Sequence, residues 1–396
     1  MRRLRFPVLL LAAAFLITQS GCWSSNEIED LAIYAGMALD SGNNESPVEK
    51  ELEQEGGSYS KQNKITATVQ IVPLKVGSKD ETKGKTSPYT NITGTGDSIL
   101  EIFRQFSLRL NKPIIGHHLK IIVISTQLLQ ERSIRQVTNF MLRDNDIRPS
   151  VKIFLSSGKA IQAITTKTPD EVPSFYINDV VHNQFRTSKI MDAVLLTDLD
   201  ALMHSKQSFI LQNIIQAKKH IEFSGAGIIK GDTGRWIGNL SQEDVECVNW
   251  LTNQGDSGTI KTNDEHDNPI TYEMKAMKTR IRVETDKDNR ITFRVRVETE
   301  GRISEDWDLE ADPSLRSYQK EAEKLFKSKL TSMMEHLLAS MQTRYKVDVA
   351  KFGEAVRIQK PKLWKEVKAN WDDTFSASKV NLDIDLRVTD YGSTTK

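Results

Sequence analysis

The sequence predicts an α+β protein, and three observations carry that expectation. Strand-length and helix-length apolar segments alternate through the first half. A hairpin with period-two alternation stands in the second half, and a long amphipathic segment separates it from a final alternating strand. With 396 residues and 38% hydrophobic content, the chain can bury cores for two or three domains.

The elements follow in order. Residues 31–39 and 64–72 read as strands, the second alternating Ile65, Ala67, Val69 and Ile71 with Thr66, Thr68 and Gln70. The polar stretches 40–63 and 75–96 are long enough to be expected as mobile loops. Asp97 is placed to cap a helix over 98–110, with Ile99, Ile102, Phe103, Phe106 and Leu110 on one face. The continuous apolar run 119–125 predicts a central strand. Helices over 126–143, 158–165 and 188–203 and a strand over 151–155 complete an N-terminal α/β domain, residues 22–205.

From Phe209 the pattern changes to short strands and turns. "IEFSGAGIIKGDTGRWIGNLSQEDVECVNWL" gives two strands about a turn at 231–234, then a helix opened by Ser241 with Asp244 three residues on. The polar stretch 253–268 marks a boundary, so 206–270 is expected as a middle domain and 271–396 as a C-terminal α+β domain. In the hairpin, Ile281, Val283, Ile291, Phe293, Val295 and Val297 take one face. Arg280, Arg282, Glu284, Arg294, Arg296 and Glu298 take the other, and Arg–Glu pairs on a wet sheet face are the expectation there. Asp312-Pro313 starts a helix expected to reach Tyr345, and 379–389 is a last strand with one wet face.

The N-terminus carries a separate message. Arg2, Arg3 and Arg5 precede an uncharged run from Pro7 to Ile17, the pattern of an export signal over residues 1–21. The run makes about 16 Å of helix, too short to span a hydrocarbon core of about 30 Å. Thr18-Gln19-Ser20-Gly21-Cys22 resembles a bacterial lipobox, with Gln19 where leucine is usual. That resemblance implies a covalent diacylglyceryl group and further acyl chains on Cys22, holding the protein at the outer face of a cytoplasmic membrane. Two acyl chains anchor firmly where one does not. Cys247 then has no partner for a disulfide.

Net charge is +1 for the whole chain, with no basic or acidic tail, so no nucleic-acid partner is expected. Gly94-Thr95-Gly96 lacks the Lys-Ser/Thr of a phosphate loop, and no HExxH or Gly-x-Ser-x-Gly occurs. Adjacent His117 and His118 would point to opposite faces of a strand. No catalytic residue and no metal site is therefore expected, and the sequence reads as a non-enzyme.

Four segments together resemble one family. They are "GCWSSNEIEDLAI", "GHHLKIIVIS", "SGAGIIKGDTGRWIGNLSQEDVECVNWL" and "VDVAKFGEAVRIQKPKLWKEVKANWDDTF". The chain is similar to the Ger(x)C spore germination lipoproteins, the C subunits of GerA-type germinant receptors, over essentially its whole mature length. Ser24 and Ser25 stand where the family usually has basic residues. The resemblance implies three mixed α/β domains, no enzymatic activity, and a complex with two integral membrane partners, the A and B subunits, in the inner membrane of the spore. It also marks Gly116, His117, Lys120, Phe352, Gly353, Trp364 and Trp371 as motif positions with structural or partner-contact roles. Gly116 is expected in a turn before a strand with His117 capping or hydrogen-bonding there. Gly353 is expected at a tight turn or helix end, and Trp364 and Trp371, two helical turns apart, on one helix face. A solute-binding lipoprotein of a transporter, with two doubly wound lobes, is the alternative.

Overall fold

The computed structural model describes residues 30–42, 47–57, 62, 65–73, 87–165, 171–217, 220–255 and 257–391. The expected signal segment and Cys22 lie outside them. The first half runs β1 (Ala32–Ser41), α1 (Pro47–Gln54), β2 (Ile65–Ile71), β3 (Thr90–Gly96), α2 (Ile99–Phe106), β4 (Ile114–Ile115) and β5 (Ile121–Ser125). It continues through α3 (Thr126–Glu131), α4 (Ile134–Val137), β6 (Lys152–Ser156), α5 (Ala160–Ala163), α6 (Pro173–Val180) and α7 (Leu196–Ser205). Then come β7 (Phe209–Ala217), β8 (His220–Ile229), β9 (Trp236–Leu240) and α8 (Gln242–Leu251).

These strands form one sheet in the order β3-β2-β1-β5-β6-β7-β8-β9, with β4 beside β1. Its centre is parallel, β1 to β5 to β6 to β7, and both wings are antiparallel. Ile-Ile-Val-Ile in β5 explains the centre, because a strand covered on both faces needs apolar residues at every position. Ile122 and Ile124 pack with α2, α3 and α4 on one face, and Ile121 and Val123 with α5 and α6 on the other.

The second sheet is β10 (Gly258–Asn263), β11 (Pro269–Thr285), β12 (Ile291–Asp306) and β13 (Lys379–Asp390), paired in that order. Between β12 and β13 the chain makes α9 (Arg316–Ala339), a π-helical turn (Ser340–Tyr345), α10 (Phe352–Gln359), α11 (Pro361–Val367) and α12 (Trp371–Ala377). This crossover lets β13 lie parallel to β12. The inner face packs Phe293, Val295 and Val297 against α9, α10 and α12. The outer face carries the expected ion pairs, Arg280 with Glu298 at 2.7 Å and Arg294 with Glu284 at 2.7 Å. A four-stranded sheet wet on one face is not the second doubly wound lobe of a solute-binding protein. The mixed α/β class agrees with the sequence, and α8 joins the two sheets into one continuous core.

Several boundaries differ from expectation. The polar stretches expected as loops contain α1 and β3. Thr93 and Thr95 of β3 pair their hydroxyls with Thr68 and Thr66 of β2, each at 2.9 Å, so threonine builds a strand that hydrophobic patterning does not reveal. The strands of 206–270 divide between the sheets: β7, β8 and β9 complete the first, and β10, inside the expected boundary, edges the second. The expected helix over 126–143 breaks because Ser133 and Gln136 form a new capping box. The helix expected from Ser188 begins only at Leu196, since Ser188 is buried and receives the indole N–H of Trp250 at 3.1 Å. Ser98, not Asp97, caps α2 through the Glu101 N–H at 3.2 Å. Helix α9 starts at Arg316 because the Asp312 carboxylate accepts from the Ser314 N–H at 3.0 Å and folds a turn instead.

Candidate functional site

The late motif residues converge on one buried carboxylate. Asp348 follows the π-helical turn and precedes α10. Its side chain accepts the N–H groups of Ala350 at 3.0 Å, Phe352 at 3.2 Å and Gly353 at 2.6 Å, and the indole N–H of Trp371 at 2.9 Å. Burial pushes the Asp348 carboxyl above its ordinary range, and these four donors oppose the shift. The carboxylate thus supplies acceptors for the first N–H groups of α10, which have none within the helix.

An aromatic cluster surrounds it. Phe352 is fully buried, 4.9 Å from Phe293 and 5.0 Å from Phe375 between ring centroids. Each such ring contributes about 1.5–3 kcal/mol through burial. Trp371 is buried and Trp364 half-buried, their rings 5.2 Å apart and edge to face. The two tryptophans do not share a helix. They lie on α11 and α12, with a 3₁₀ turn, Lys368–Asn370, between them. Gly353 stands at a helix end, as the second residue of α10, lying directly under the Trp371 indole.

This cluster is tied to the first sheet through the residue after Trp371. Asp372 Oδ2 accepts from Lys230 Nζ at 2.7 Å and from the Ser208 hydroxyl at 2.8 Å, while Oδ1 accepts from the Asp348 N–H at 3.3 Å. Lys230 follows β8 and Ser208 precedes β7, so both belong to the first sheet's end. Beside them the Tyr345 hydroxyl, carried by the π-helical turn, donates to the Asn239 carbonyl of β9 at 2.9 Å. Gly238 accommodates the Tyr345 ring, which any β-carbon there would strike. Sequence reasoning overlooked both Asp348 as a hub and Asp372 as the link to the first sheet. The available signal for Asp348 was its place at the head of Asp-x-x-x-Phe-Gly.

The Gly-His-Lys segment lies elsewhere, at the start of β5. Gly116 is buried in a turn closed by the Leu119 N–H on its carbonyl at 3.0 Å, and a β-carbon there would sit 2.7 Å from the Tyr34 hydroxyl. His117 does not cap the strand; its exposed Nε2 is 3.7 Å from Asp146 Oδ1. The Lys120 side chain is exposed, while its backbone links β1 to β6: its N–H donates to Ala35 at 2.8 Å and its carbonyl accepts from Lys152 at 3.0 Å. Asp146 also lines a cleft of about 900 Å³ between α2 and the α3–α4 corner, walled by Arg132, Arg143 and Asn139 over a floor of Ile99 and Phe140. Among the described residues no group of three or more His, Cys, Asp or Glu side chains is arranged to hold a metal ion. Cys247 is buried in the core, and burial pushes its thiol well above the ordinary range.

Two family descriptions divide the chain between them. "Spore germination protein N-terminal domain" matches residues 24–216, and "Spore germination B3/GerAC like, C-terminal" matches 224–392. The "Spore germination protein YndF" of Bacillus subtilis (strain 168) is 33% identical over 397 residues, covering 98% of this chain and 97% of that protein. The chain belongs to the GerAC family of spore germination proteins. Another GerAC-family relative, the "Spore germination protein B3" of the same organism, is 27% identical across 96% of each chain. The fold is that of the GerBC protein crystal structure, with a TM-score of 0.61 and 23% identity over 84% of this chain and 96% of that one. The boundary between the two family matches falls in the β7–β8 hairpin, so the first sheet takes strands from both.

Proposed function

We propose that this chain is a lipid-anchored, non-catalytic subunit of a spore germinant receptor and works by contact with integral membrane A and B subunits. The observation that carries the reading is membership of the GerAC family across nearly the whole chain, joined to an apolar run ending in small residues and Cys22. Diacylglycerol and acyl chains on Cys22 hold the body at the outer face of the spore's inner membrane. Among the described residues no helix is long and apolar enough to cross a membrane, and the reading assigns membrane attachment to Cys22. The motif residues support a scaffold: Phe352, Gly353 and Trp371 are buried with Asp348, engaged in packing and in hydrogen bonds to its carboxylate.

Cys22→Ala tests the anchor. The wild-type chain should label with radioactive palmitate and partition into detergent with spore membranes, and the variant should do neither. Membrane retention of an unlabelled variant would reject the anchor. Affinity capture of the tagged wild-type chain from solubilised spore membranes should bring integral membrane subunits with it; capture of the chain alone would reject the assembly.

A further inference from the structure

The end of the second sheet where β12 hands over to α9 combines exposed apolar side chains with dense negative charge. In loop 307–315, Trp307 is 61% exposed, Leu309 84% and Leu315 53%. Surface apolar residues scattered singly need no explanation, but three within one short loop do. The same loop and the strand end before it carry Glu305, Asp306, Asp308, Glu310 and Asp312, with no Lys or Arg among residues 303–315. The β10–β11 turn adds Asp264, Glu265 and Asp267 at the same end, because Ile270 of β11 pairs with Asp306 and the Trp307 N–H donates to the Pro269 carbonyl at 3.1 Å. Asp264, Asp306 and Asp308 all act on the Tyr318 phenol, which burial and these carboxylates push up, so the turn and the loop face one another. Basic residues on the flanking segments include His266 of the turn, Lys261 of β10, Arg302 of β12, which pairs with Glu273 at 2.6 Å, and Arg316, whose guanidinium lies 3.8 Å from Glu323.

The loop is ordered by its own acids. Asp306 accepts the Asp308 N–H at 3.0 Å, Asp308 accepts the Glu310 N–H at 2.9 Å, and Asp312 accepts the Ser314 N–H at 3.0 Å. The Trp307 indole N–H donates to Glu305 at 2.7 Å, and the Tyr318 hydroxyl donates to Asp306. The acids therefore hold the apolar side chains in a fixed outward pose, which lowers the ordering cost of binding.

We propose that this end of the sheet is a docking surface for a partner protein that brings Lys or Arg side chains around an apolar hollow. Trp307 and Leu309 are the anchors, and the carboxylates form the rim that selects positive charge. An anionic lipid surface is excluded by the same rim, which would repel its headgroups. The inference rests on the assembly reading above for its setting and adds the surface and the chemistry of the partner.

The test uses the full chain in spores, with p-benzoylphenylalanine introduced at Leu309 and the adducts mapped by mass spectrometry after irradiation. The expected product is an adduct on a net-basic segment of another protein, lost when Glu305→Gln, Asp308→Asn and Glu310→Gln are combined. That segment, as a synthetic peptide, should bind the wild-type chain about tenfold more tightly than the Trp307→Ser chain, and less tightly at high salt. Trp307 is exposed, so Trp307→Ser should melt at the wild-type temperature, separating loss of contact from loss of fold. Adducts only on lipid, on a neutral or acidic segment, or within this chain, adducts indifferent to the neutralised rim, or no adduct at all would each overturn the proposal. Integral subunits still captured with the tagged chain in that case would leave the receptor reading standing and remove only this surface.

Discussion

A β-carbon placed on Gly353 would stand 2.8 Å from the indole nitrogen of Trp371. It would also meet Trp364 at 3.2 Å, so both tryptophans close over the same glycine. The Trp371 ring cannot retreat freely, because its N–H is fixed on Asp348 and it packs against Phe293 and Phe375. Gly353→Ala should therefore destabilise the second half by about 1–3 kcal/mol, although alanine is the better helix former. Urea unfolding followed by tryptophan fluorescence measures it; unchanged or raised stability would mean the rings yield.

Asp348→Ala leaves three backbone N–H groups and one indole N–H buried without their acceptor. The expected loss is about 3–5 kcal/mol, on the scale of breaking a buried network from one side. Asp348→Asn keeps one acceptor oxygen and should lose less than Asp348→Ala. Equal losses for the two, read from thermal melts, would show that the negative charge rather than the acceptor geometry holds the cluster.

The sequence made some of this legible and hid the rest for a physical reason. Strand β5 and the β11–β12 hairpin were readable because their burial is written in their own residues, as an unbroken apolar run and as period-two alternation. Strand β3 and helix α1 were not readable. Glu49 of α1 is buried because its carboxylate accepts the Thr95 N–H of β3 at 3.0 Å, a partner 46 positions away. The motif positions could be located, but not their shared centre. Asp348 gathers ligands from two helices, and the role of Asp372 depends on Lys230, 142 positions earlier. The break between Trp364 and Trp371 was hidden too, because a spacing of seven fits one helix as well as two short ones.

Glu246 of α8 gives the fold a pH dependence of known sign. It is buried in the core that joins the sheets, one carboxylate oxygen has no hydrogen-bond partner, and burial raises its pKa to about 7, with Lys189 and the Thr259 N–H opposing. Glu243 on the same helix adds to the rise. The folded state therefore holds its proton more tightly than the unfolded chain, whose glutamate titrates near 4.5. This contribution to stability is complete below the unfolded value and is lost as pH rises from 4.5 to about 7. Its size is about 3 kcal/mol. Glu246→Gln should remove that slope and unfold at higher urea than wild type at pH 8. A variant no more stable than wild type at pH 8 would contradict the assignment.

The contact between Lys230 and Asp372 should be worth more than a surface ion pair. The two side chains are mostly buried, the ammonium is 2.7 Å from the carboxylate, and both have further partners: the Lys346 carbonyl for one, the Ser208 hydroxyl and Asp348 N–H for the other. Exposed pairs typically contribute under about 1 kcal/mol because water screens them. Here each single change leaves a charge or its hydrogen-bonding partners stranded at the seam between the sheets. Lys230→Met and Asp372→Asn should each cost about 2–3 kcal/mol. The double variant should cost less than the sum of the two, with a coupling of about 1–2 kcal/mol. A double-mutant cycle in urea, repeated at high salt, measures this directly. Additive losses would mean that the seam is held by Tyr345 on Asn239 and by apolar packing around α8, with the ion pair a bystander.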